Sequence, residues 1–434
     1  MSESAVSQNR PEATDANVAG YCRGLAQRAV VASRALADAA GAAREAALHA
    51  IAERIEASAA SLKEANGRDL TAAREAGLGD ALLDRLALTD ERIAAMAAGV
   101  RQVAAQSDPV GRVIEGKVLA NGIRLSKLRV PIGVVLIIFE SRPNVTADAA
   151  ALCIRSGNAT ILRGGKEAKH SNAAIAACVR QGLEQAGLPA DAVQLVETTD
   201  RAAVGALLQL EGLIDLCIPR GGESLIRAVV EQARIPVIKH YTGNCHLYVD
   251  AACDEAMAVA LAVNAKTQRT GVCNAAETLL VHADAAERGL LATLCGELAQ
   301  RGVEIRGDAA TCGLYPQAKP ADEADWATEY LDSIIAVRVV AGLDEAVEHI
   351  NRYGSKHTDA IVTERLAAAD AFVRRVDSAN VFVNCSTRFS DGFQYGLGAE
   401  IGISTDKLHA RGPMGADDLT TCKWVAYGSG QVRG

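Results

Sequence analysis

Val134-Val135-Leu136-Ile137-Ile138-Phe139 is an unbroken apolar run in this 434-residue chain. A strand that is buried on both faces has this continuous pattern, whereas a strand with one wet face alternates apolar and polar residues. A segment of helical composition follows at about 144–156, and a second apolar run, Ala159–Leu162, comes directly after it. Two buried strands joined through a helix are typical of a parallel sheet with helices on both faces.

The alternation of short apolar runs with helical segments continues along the chain. Further candidate helices lie at about 167–187, 200–208 and 222–233, and candidate strands of the same block are Val193–Val196, Leu213–Ile218 and Pro236–Lys239. A second block adds strand candidates at 277–282, 303–306, 334–340, 359–363 and 380–384. We therefore predict an α/β fold with two doubly wound α/β domains, the first a Rossmann-like nucleotide-binding domain.

Changes of composition mark the expected domain boundaries. Helical segments rich in Ala, Glu and Arg come first, and Asn121-Gly122 then stands between two runs of alternating polarity, the signature of a tight hairpin. We interpret this hairpin as a two-stranded arm at an oligomer contact, with a solvent-exposed hairpin as the alternative. The predicted parts are a cofactor domain, 1–110 and 130–242; the hairpin arm, 111–129; a catalytic domain, 243–385; and a tail, 386–434, that closes the active site and contacts a partner subunit.

Charge and cysteine usage exclude several classes of protein. The formal net charge is −8 and basic residues are scattered, which argues against nucleic acid or an anionic membrane surface as a partner. No run of 18 apolar residues occurs, and residues 1–12 are polar and of mixed charge, unlike a signal peptide. The 11 cysteines show no C-x-x-C spacing and no clustering with the 8 histidines, so we expect no metal site, reduced thiols and a cytoplasmic protein.

Cys273 is the candidate nucleophile. It follows Gly271-Val272 and precedes a polar residue and the apolar run Thr278–Val281, so it lies at the boundary of a predicted strand and not within an apolar stripe. A thiol in such a place can be exposed and, as thiolate, attack a carbonyl carbon. The alternative is a small buried side chain. No histidine stands near Cys273 in the sequence.

Two glycine-containing segments are candidates for binding a phosphate or a ribose. Gly164-Gly165-Lys166 ends one predicted strand, and Gly221-Gly222-Glu223-Ser224 ends another. Glycines let backbone N–H groups approach a ligand closely, and the start of the following helix favours an anion. Neither segment has the G-x-G-x-x-G spacing, but two of them in one sheet indicate a nucleotide site, with Lys166, Gly221, Gly222 and Ser224 as candidate contacts.

Together with the cysteine segment, these residues resemble the aldehyde dehydrogenase superfamily, over about 20–425. The resemblance is most specific at 139–144, at 384–405 and at His409-Ala-Arg-Gly-Pro-Met-Gly415. It implies that Cys273 is the catalytic nucleophile and that Glu329 holds the nicotinamide ribose. Donors to the oxyanion would be the Cys273 N–H and either Asn144 or Arg142, between which spacing does not decide. Donors to the substrate's carboxylate or phosphate would be Ser386, Thr387, Arg388, His409 and Arg411. For His409 and Arg411, a solvated position or a subunit contact is the alternative.

Two departures from the superfamily pattern narrow the expected reaction. Hydrolytic members carry a water-activating glutamate where this chain reads Tyr241-Thr242-Gly243-Asn244, so phosphate is the expected acyl acceptor. Members that prefer NAD carry Lys-x-x-Glu where this chain reads Lys166-Glu167-Ala168-Lys169. A cation at Lys169 attracts a 2′-phosphate, which favours NADP(H) as cofactor.

The segment at 384–415 resembles the branch of the superfamily that acts in proline biosynthesis. That resemblance implies NADPH-dependent reduction of L-glutamyl 5-phosphate to L-glutamate 5-semialdehyde and phosphate through a thioester on the cysteine. The alternative is a hydrolytic NAD(P)-dependent dehydrogenase that forms a carboxylic acid. A homo-oligomer, dimer or tetramer, is the implied assembly, and glutamate 5-kinase is a further candidate partner.

Overall fold

A computed structural model describes residues 15–433, which fall into two compact units. Unit 1 holds the described residues up to Gly221 together with 227–237 and those from Leu419 onward, and unit 2 holds 222–226 and 238–418. Over this range, no helix has the length and apolar character that spanning a membrane requires.

The helices and strands alternate along most of the chain. The helices are α1 Asp15–Asp38, α2 Gly41–Ala57, α3 Ala59–Glu75, α4 Asp80–Leu86, α5 Asp90–Ala104, α6 Val145–Arg155, α7 Lys169–Gln185, α8 Ala202–Leu208, α9 Glu223–Gln232, α10 Glu255–Thr267, α11 Ala283–Glu287, α12 Leu290–Ala299, α13 Ala309–Leu314, α14 Leu343–Tyr353 and α15 Leu366–Arg375. The strands are β1 Val113–Val118, β2 Arg124–Pro131, β3 Val134–Phe139, β4 Ala159–Arg163, β5 Val193–Leu195, β6 Leu216–Arg220, β7 Cys245–Val249, β8 Ala276–His282, β9 Glu304–Gly307, β10 Lys319–Pro320, β11 Ile334–Val340, β12 Thr358–Val362, β13 Asn380–Val383, β14 Gly402–Ser404, β15 Gly412–Met414 and β16 Thr420–Tyr427.

Unit 1 is built on a parallel sheet of order β5-β4-β3-β6. Its strand β3 is buried at all six positions, as the continuous apolar run predicted. The predicted strand Pro236–Lys239 is wrong, because this segment makes only an isolated bridge from Val237 to Cys217. Proline has no N–H to donate to a ladder, which weakens pairing at this point.

The predicted hairpin is part of a larger sheet in unit 1. β1 and β2 pair antiparallel, and β16 pairs antiparallel with the other edge of β2 from Thr420 to Tyr427. The arm is therefore three-stranded, and the end of the tail, which lacks strong periodicity, belongs to it. Most side chains of β16 are exposed, so its sequence lacks the apolar pattern by which a buried strand is predicted.

Unit 2 is built on a seven-stranded parallel sheet of order β10-β9-β11-β8-β7-β12-β13. The two parallel sheets confirm the predicted α/β class. The sequence analysis missed β7, although all five of its residues are buried and it lies between β8 and β12. Its run is short and opens with Cys245-His246, which weakened the apolar signal.

A buried ion pair fixes both ends of the Cys273 segment. That segment lies between the end of α10 and the start of β8, and Lys266 of α10 meets Glu277 of β8 with an Nζ–Oε2 distance of 2.6 Å. Both side chains are fully buried. Burial raises the pKa of Glu277 to about 7, and the charge of Lys266 opposes this rise. The other carboxylate oxygen of Glu277 accepts the N–H of Leu331 at 3.3 Å.

We expect the substitution Lys266→Met to destabilise unit 2 by about 3–5 kcal/mol, because it leaves a buried carboxylate without its partner. Without the lysine, Glu277 holds its proton more strongly in the folded than in the unfolded state. The loss should therefore grow as the pH rises above the acid's unfolded pKa.

Urea unfolding of the full chain at pH 5 and pH 8 measures this effect. The double variant Lys266→Met/Glu277→Leu is the control and should recover most of the lost stability. A single variant that is as stable as the double variant at pH 8 would contradict the role given to the pair.

Candidate active site

Cys273 is half-buried, and its backbone is held by two neighbours in unit 2. Gly243 packs directly against it, since a Cβ at this glycine would stand 2.0 Å from the Cys273 carbonyl oxygen and 2.5 Å from its Cα. The buried thiol of Cys245 donates to the same carbonyl oxygen at 3.2 Å. The main chain at Cys273 is therefore fixed, while its side chain retains access to solvent.

Two histidines lie beside the Cys273 thiol. A ring nitrogen of His240, a ring nitrogen of His357 and the thiol sulfur all lie within 4.8 Å of one another. Nδ1 of His240 is 2.7 Å from the carbonyl oxygen of Ile403, which can only accept, so this nitrogen carries a proton, and in the neutral imidazole Nε2 is then the nitrogen with the lone pair. Burial lowers the pKa of His357 to about 4, so this imidazole is neutral at physiological pH.

The sequence analysis did not find these histidines. His240 precedes the segment 241–244 and His357 immediately precedes β12, so both are distant from Cys273 along the chain. Their proximity depends on the order of strands in the sheet, where β12 and β8 flank β7. The only sequence signal was the position of His240 next to the segment that replaces the water-activating glutamate.

Glu329 lies at the same glycine that supports Cys273. Its Oε1 accepts the N–H of Gly243 at 2.9 Å, and burial raises the pKa of its carboxyl group. The candidate ribose-binding glutamate and the candidate nucleophile therefore both contact Gly243. The role of Glu329 toward a cofactor stays a prediction.

Arg388 is joined to the Cys273 segment, whereas Ser386 and Thr387 shape its local turn. The Nε–H of Arg388 donates to Oε1 of Gln268 at 2.8 Å. Burial lowers the pKa of Arg388, the negative charges of Asp391 and of the Cys273 thiolate raise it, and the neighbouring Arg269 lowers it.

Ser386 Oγ accepts the N–H of Arg388 at 3.3 Å, and Thr387 is buried with an unpartnered hydroxyl. The guanidinium group of Arg388 is close enough to Arg269 and to the Cys273 thiol for their charges to affect its pKa. Arg269, which was not among the candidate residues, joins the set.

His409 and Arg411 contact other groups. His409, exposed and with φ of 71°, donates from Nε2 to the carbonyl oxygen of Asp418 at 2.6 Å. Arg411 donates to the carbonyl oxygen and to Oδ1 of Asp377, each at 3.0 Å. Lys407 and Arg411 together lower the pKa of Asp377 to about 2. These contacts hold both side chains in place, and their role toward the substrate stays a prediction.

The candidate cofactor lysines lie in unit 1, where β4 gives way to α7. Lys166 and Lys169 are exposed, and within residues 15–433 neither ammonium group has an ion-pair partner. The intervening Glu167 is turned back, because its Oε1 accepts both the N–H and the hydroxyl of Ser141 at 2.7 Å. The two lysines thus present positive charge to solvent, which fits a phosphate or a ribose phosphate.

The second glycine segment has the expected local structure. Gly221, Gly222 and Ser224 are exposed and lie between the end of β6 and the first turn of α9, which begins at Glu223. Their contact with a nucleotide stays a prediction.

The two candidate oxyanion donors follow β3 in unit 1. Asn144 and Arg142 are exposed, and the Asn144 amide donates to Asp148 Oδ2 at 2.9 Å. The choice between these two residues stays open.

Comparison with known proteins agrees with this arrangement. The model of the aldehyde dehydrogenase family matches residues 7–311. The gamma-glutamyl phosphate reductase of Thermotoga maritima is 45% identical, with 95% of this chain and 100% of that chain covered and a TM-score of 0.93. The gamma-glutamyl phosphate reductase of Saccharomyces cerevisiae is 33% identical, with 95% and 98% covered and a TM-score of 0.52. An engineered glycolyl-CoA reductase with bound NADP⁺ shares the fold at 14% identity, with 93% and 96% covered and a TM-score of 0.66. The chain belongs to the aldehyde dehydrogenase family.

Proposed function

We propose that this protein reduces L-glutamyl 5-phosphate to L-glutamate 5-semialdehyde and phosphate, the second step from glutamate to proline, with NADPH as the hydride donor. The observation that carries the proposal is the group formed by the half-exposed Cys273, the neighbouring imidazole of His240 and nearby arginines. This group unites a nucleophile, a proton acceptor and a site for an anionic leaving group. The likeness over the whole chain to two gamma-glutamyl phosphate reductases supports this substrate.

The thiol of Cys273 would lose its proton to Nε2 of His240, which has the lone pair of the neutral imidazole when Nδ1 donates to the Ile403 carbonyl oxygen. The thiolate attacks the acyl carbon, and the bond from this carbon to the phosphate oxygen then breaks. The proton on His240 can pass to the departing phosphate. A thioester on Cys273 results, and a thioester is electrophilic enough to accept hydride.

Arg388 and Arg269 are the side chains suited to the phosphate or to the substrate's carboxylate. Guanidinium groups bind both anions in a two-pronged geometry. Ser386 fixes the turn that carries Arg388, while the Thr387 hydroxyl in the same turn has no hydrogen-bond partner within the described part of the chain. The developing oxyanion would take the Cys273 N–H together with Asn144 or Arg142.

Members of this family use NAD(P), and bound NADPH would supply the hydride. Lys169 and Lys166 would hold the adenosine ribose with its 2′-phosphate. Glu329 would hold the nicotinamide ribose, and Gly221, Gly222 and Ser224 would approach the cofactor's phosphates. The preference for NADP over NAD is inferred from the free charge of Lys169 and from the capture of Glu167 by Ser141.

The hydrolytic alternative lacks its expected base at 241–244. The nearby Glu329 carboxylate is already engaged, because its Oε1 accepts the Gly243 N–H at 2.9 Å. Phosphate is therefore the acyl acceptor in the reverse direction, and the thioester should resist water.

The three-stranded sheet is the surface that we assign to homo-oligomer formation. It carries the exposed apolar side chains Val113, Ile114, Val118, Trp424 and Tyr427. A large exposed apolar patch is typical of a protein–protein contact. Association with glutamate 5-kinase and a cytoplasmic location stay predictions. All 11 cysteines are free and lie in the described range, which accords with a reducing compartment.

Replacing the thiol of Cys273 tests its role as nucleophile. Cys273→Ala should fold and still bind NADPH, yet lose turnover by several orders of magnitude, because the proposed thioester forms on this sulfur. Cys253→Ser, at another half-exposed cysteine, is the matched control and should keep most of its activity. NADPH oxidation with glutamyl phosphate measures both, and near wild-type turnover in Cys273→Ala would exclude the mechanism.

The second prediction concerns the acyl acceptor. Without phosphate or arsenate, oxidation of glutamate 5-semialdehyde should give one NADPH per active site and then nearly stop. A positioned base accelerates attack by water by roughly 10²–10⁴-fold, and that help is missing here. Rapid mixing would show the burst, and added phosphate should restore turnover. Steady NADPH production without phosphate would instead favour the hydrolytic dehydrogenase.

The third prediction concerns the cofactor. Lys169→Glu should weaken NADP(H) roughly tenfold to a hundredfold, the loss of about 1.5–3 kcal/mol that accompanies a charged hydrogen bond, and should affect NAD(H) far less. The ratio of kcat/KM for the two cofactors measures this preference. Lys63→Glu makes the same charge change at an exposed lysine of α3 and serves as control. An unchanged ratio in Lys169→Glu would place the 2′-phosphate elsewhere.

A further inference from the structure

The group of Cys273, His240 and His357 has the composition of a site for a thiophilic metal ion. Among residues 15–433, it is the only set of three or more His, Cys, Asp and Glu side chains whose ligand atoms lie close enough together to hold one ion. The set contains one sulfur and two imidazoles and no carboxylate. Thiolate and imidazole ligands select zinc and related transition metals over magnesium or calcium.

Each of the two histidines has a polar contact at Nδ1, which leaves Nε2 as the ring nitrogen available to a ligand. Nδ1 of His240 donates to the Ile403 carbonyl oxygen at 2.7 Å, and Nδ1 of His357 is 2.8 Å from the hydroxyl oxygen of Thr358. Histidines that bind metals usually donate their second ring N–H to a backbone carbonyl or another acceptor, which fixes the ring and the tautomer. His240 shows this arrangement, and the Thr358 hydroxyl, which can accept as well as donate, is a suitable acceptor for the Nδ1–H of His357.

His357 provides an independent observation. Its side chain is fully buried, and among residues 15–433 its Nε2 has no hydrogen-bond partner. A buried polar atom without a partner costs free energy, so such an atom in a folded protein calls for an explanation. Neither the proposed attack of Cys273 nor the proton transfer by His240 uses it. A bound metal ion would satisfy this nitrogen.

We propose that Cys273, His240 and His357 bind one Zn²⁺ ion, or a similar thiophilic divalent cation, and that this ion reversibly blocks the nucleophile. The thiol proton is released to solvent as the zinc–sulfur bond forms, and no oxidation or reduction takes place. Water completes the coordination, since three protein ligands leave one tetrahedral position open.

The geometry requires only a small adjustment. Zinc lies about 2.3 Å from sulfur and about 2.0–2.1 Å from nitrogen, so ligand atoms around one ion stand about 3.3–3.6 Å apart. The three atoms lie within 4.8 Å of one another, and the Cys273 side chain, half-exposed at the end of a fixed backbone, can close the difference by rotation.

Cobalt(II) tests the site directly, because cobalt bound to a thiolate absorbs strongly in the near ultraviolet. We expect the full chain, freed of metals with a chelator, to bind one Co²⁺ with this absorption, and Zn²⁺ to displace it. Cys273→Ser should abolish the band. His240→Gln should weaken binding by at least about tenfold, the scale seen when even an outer partner of a metal ligand is lost. His240 is preferred to the buried His357 because its ring is partly exposed.

Two controls separate this site from binding elsewhere. His49→Gln, at an exposed histidine of α2, and Cys253→Ser should leave the cobalt spectrum unchanged. A wild-type chain without the band, a band that persists in Cys273→Ser, or equal affinity in His240→Gln would each overturn the proposal.

Zinc should also stop NADPH oxidation, and a chelator should restore it. The spectroscopic measurement needs no substrate, so its outcome does not depend on whether the proposed reductase activity is correct.

Discussion

The ion pair between Lys266 and Glu277 is the constraint on which the rest of the site depends. It joins the last turn of α10 to the start of β8, and the Cys273 segment is the loop between them. Replacing such a pair by apolar residues often preserves stability, so stability alone does not explain its presence. Its position indicates that it fixes where the loop begins and ends, and its second contact, to the Leu331 N–H, links it to the stretch that carries Glu329.

A second level of order comes from the backbone around Gly243. This residue has Cys273 against its α-carbon and Glu329 on its N–H, so one position without a side chain spaces two functional groups. The absence of a glutamate in 241–244 thus has a counterpart in the structure. Gly243 of this segment packs against the main chain of Cys273, and the side chains of His240 and His357 lie beside the thiol.

The sequence allowed prediction of those features that depend on local patterns. Continuous apolar runs located β3 and β11 with their observed bounds, and the polar surroundings of Cys273 marked it as accessible. The two histidines could not be found in this way, because their proximity follows from strand order, which no local pattern encodes. β16 was missed for a different reason: its side chains are largely exposed on both faces, so pairing with β2 produces no alternation of burial. Arg411 also lies in a specific motif, but that motif did not indicate its ion pair with Asp377, and its role toward the substrate stays a prediction.

The pairing of β16 with β2 also bears on how the chain is made. Unit 1 draws strands from both early and late parts of the sequence, with all of the main sheet of unit 2 between them. During synthesis β2 emerges from the ribosome long before β16, so one edge of its ladder waits unpaired while unit 2 is still being translated. Unpaired strand edges invite association with other chains. The nascent protein therefore passes through a period in which a chaperone, or an early neighbour on the same polysome, has a defined edge to bind.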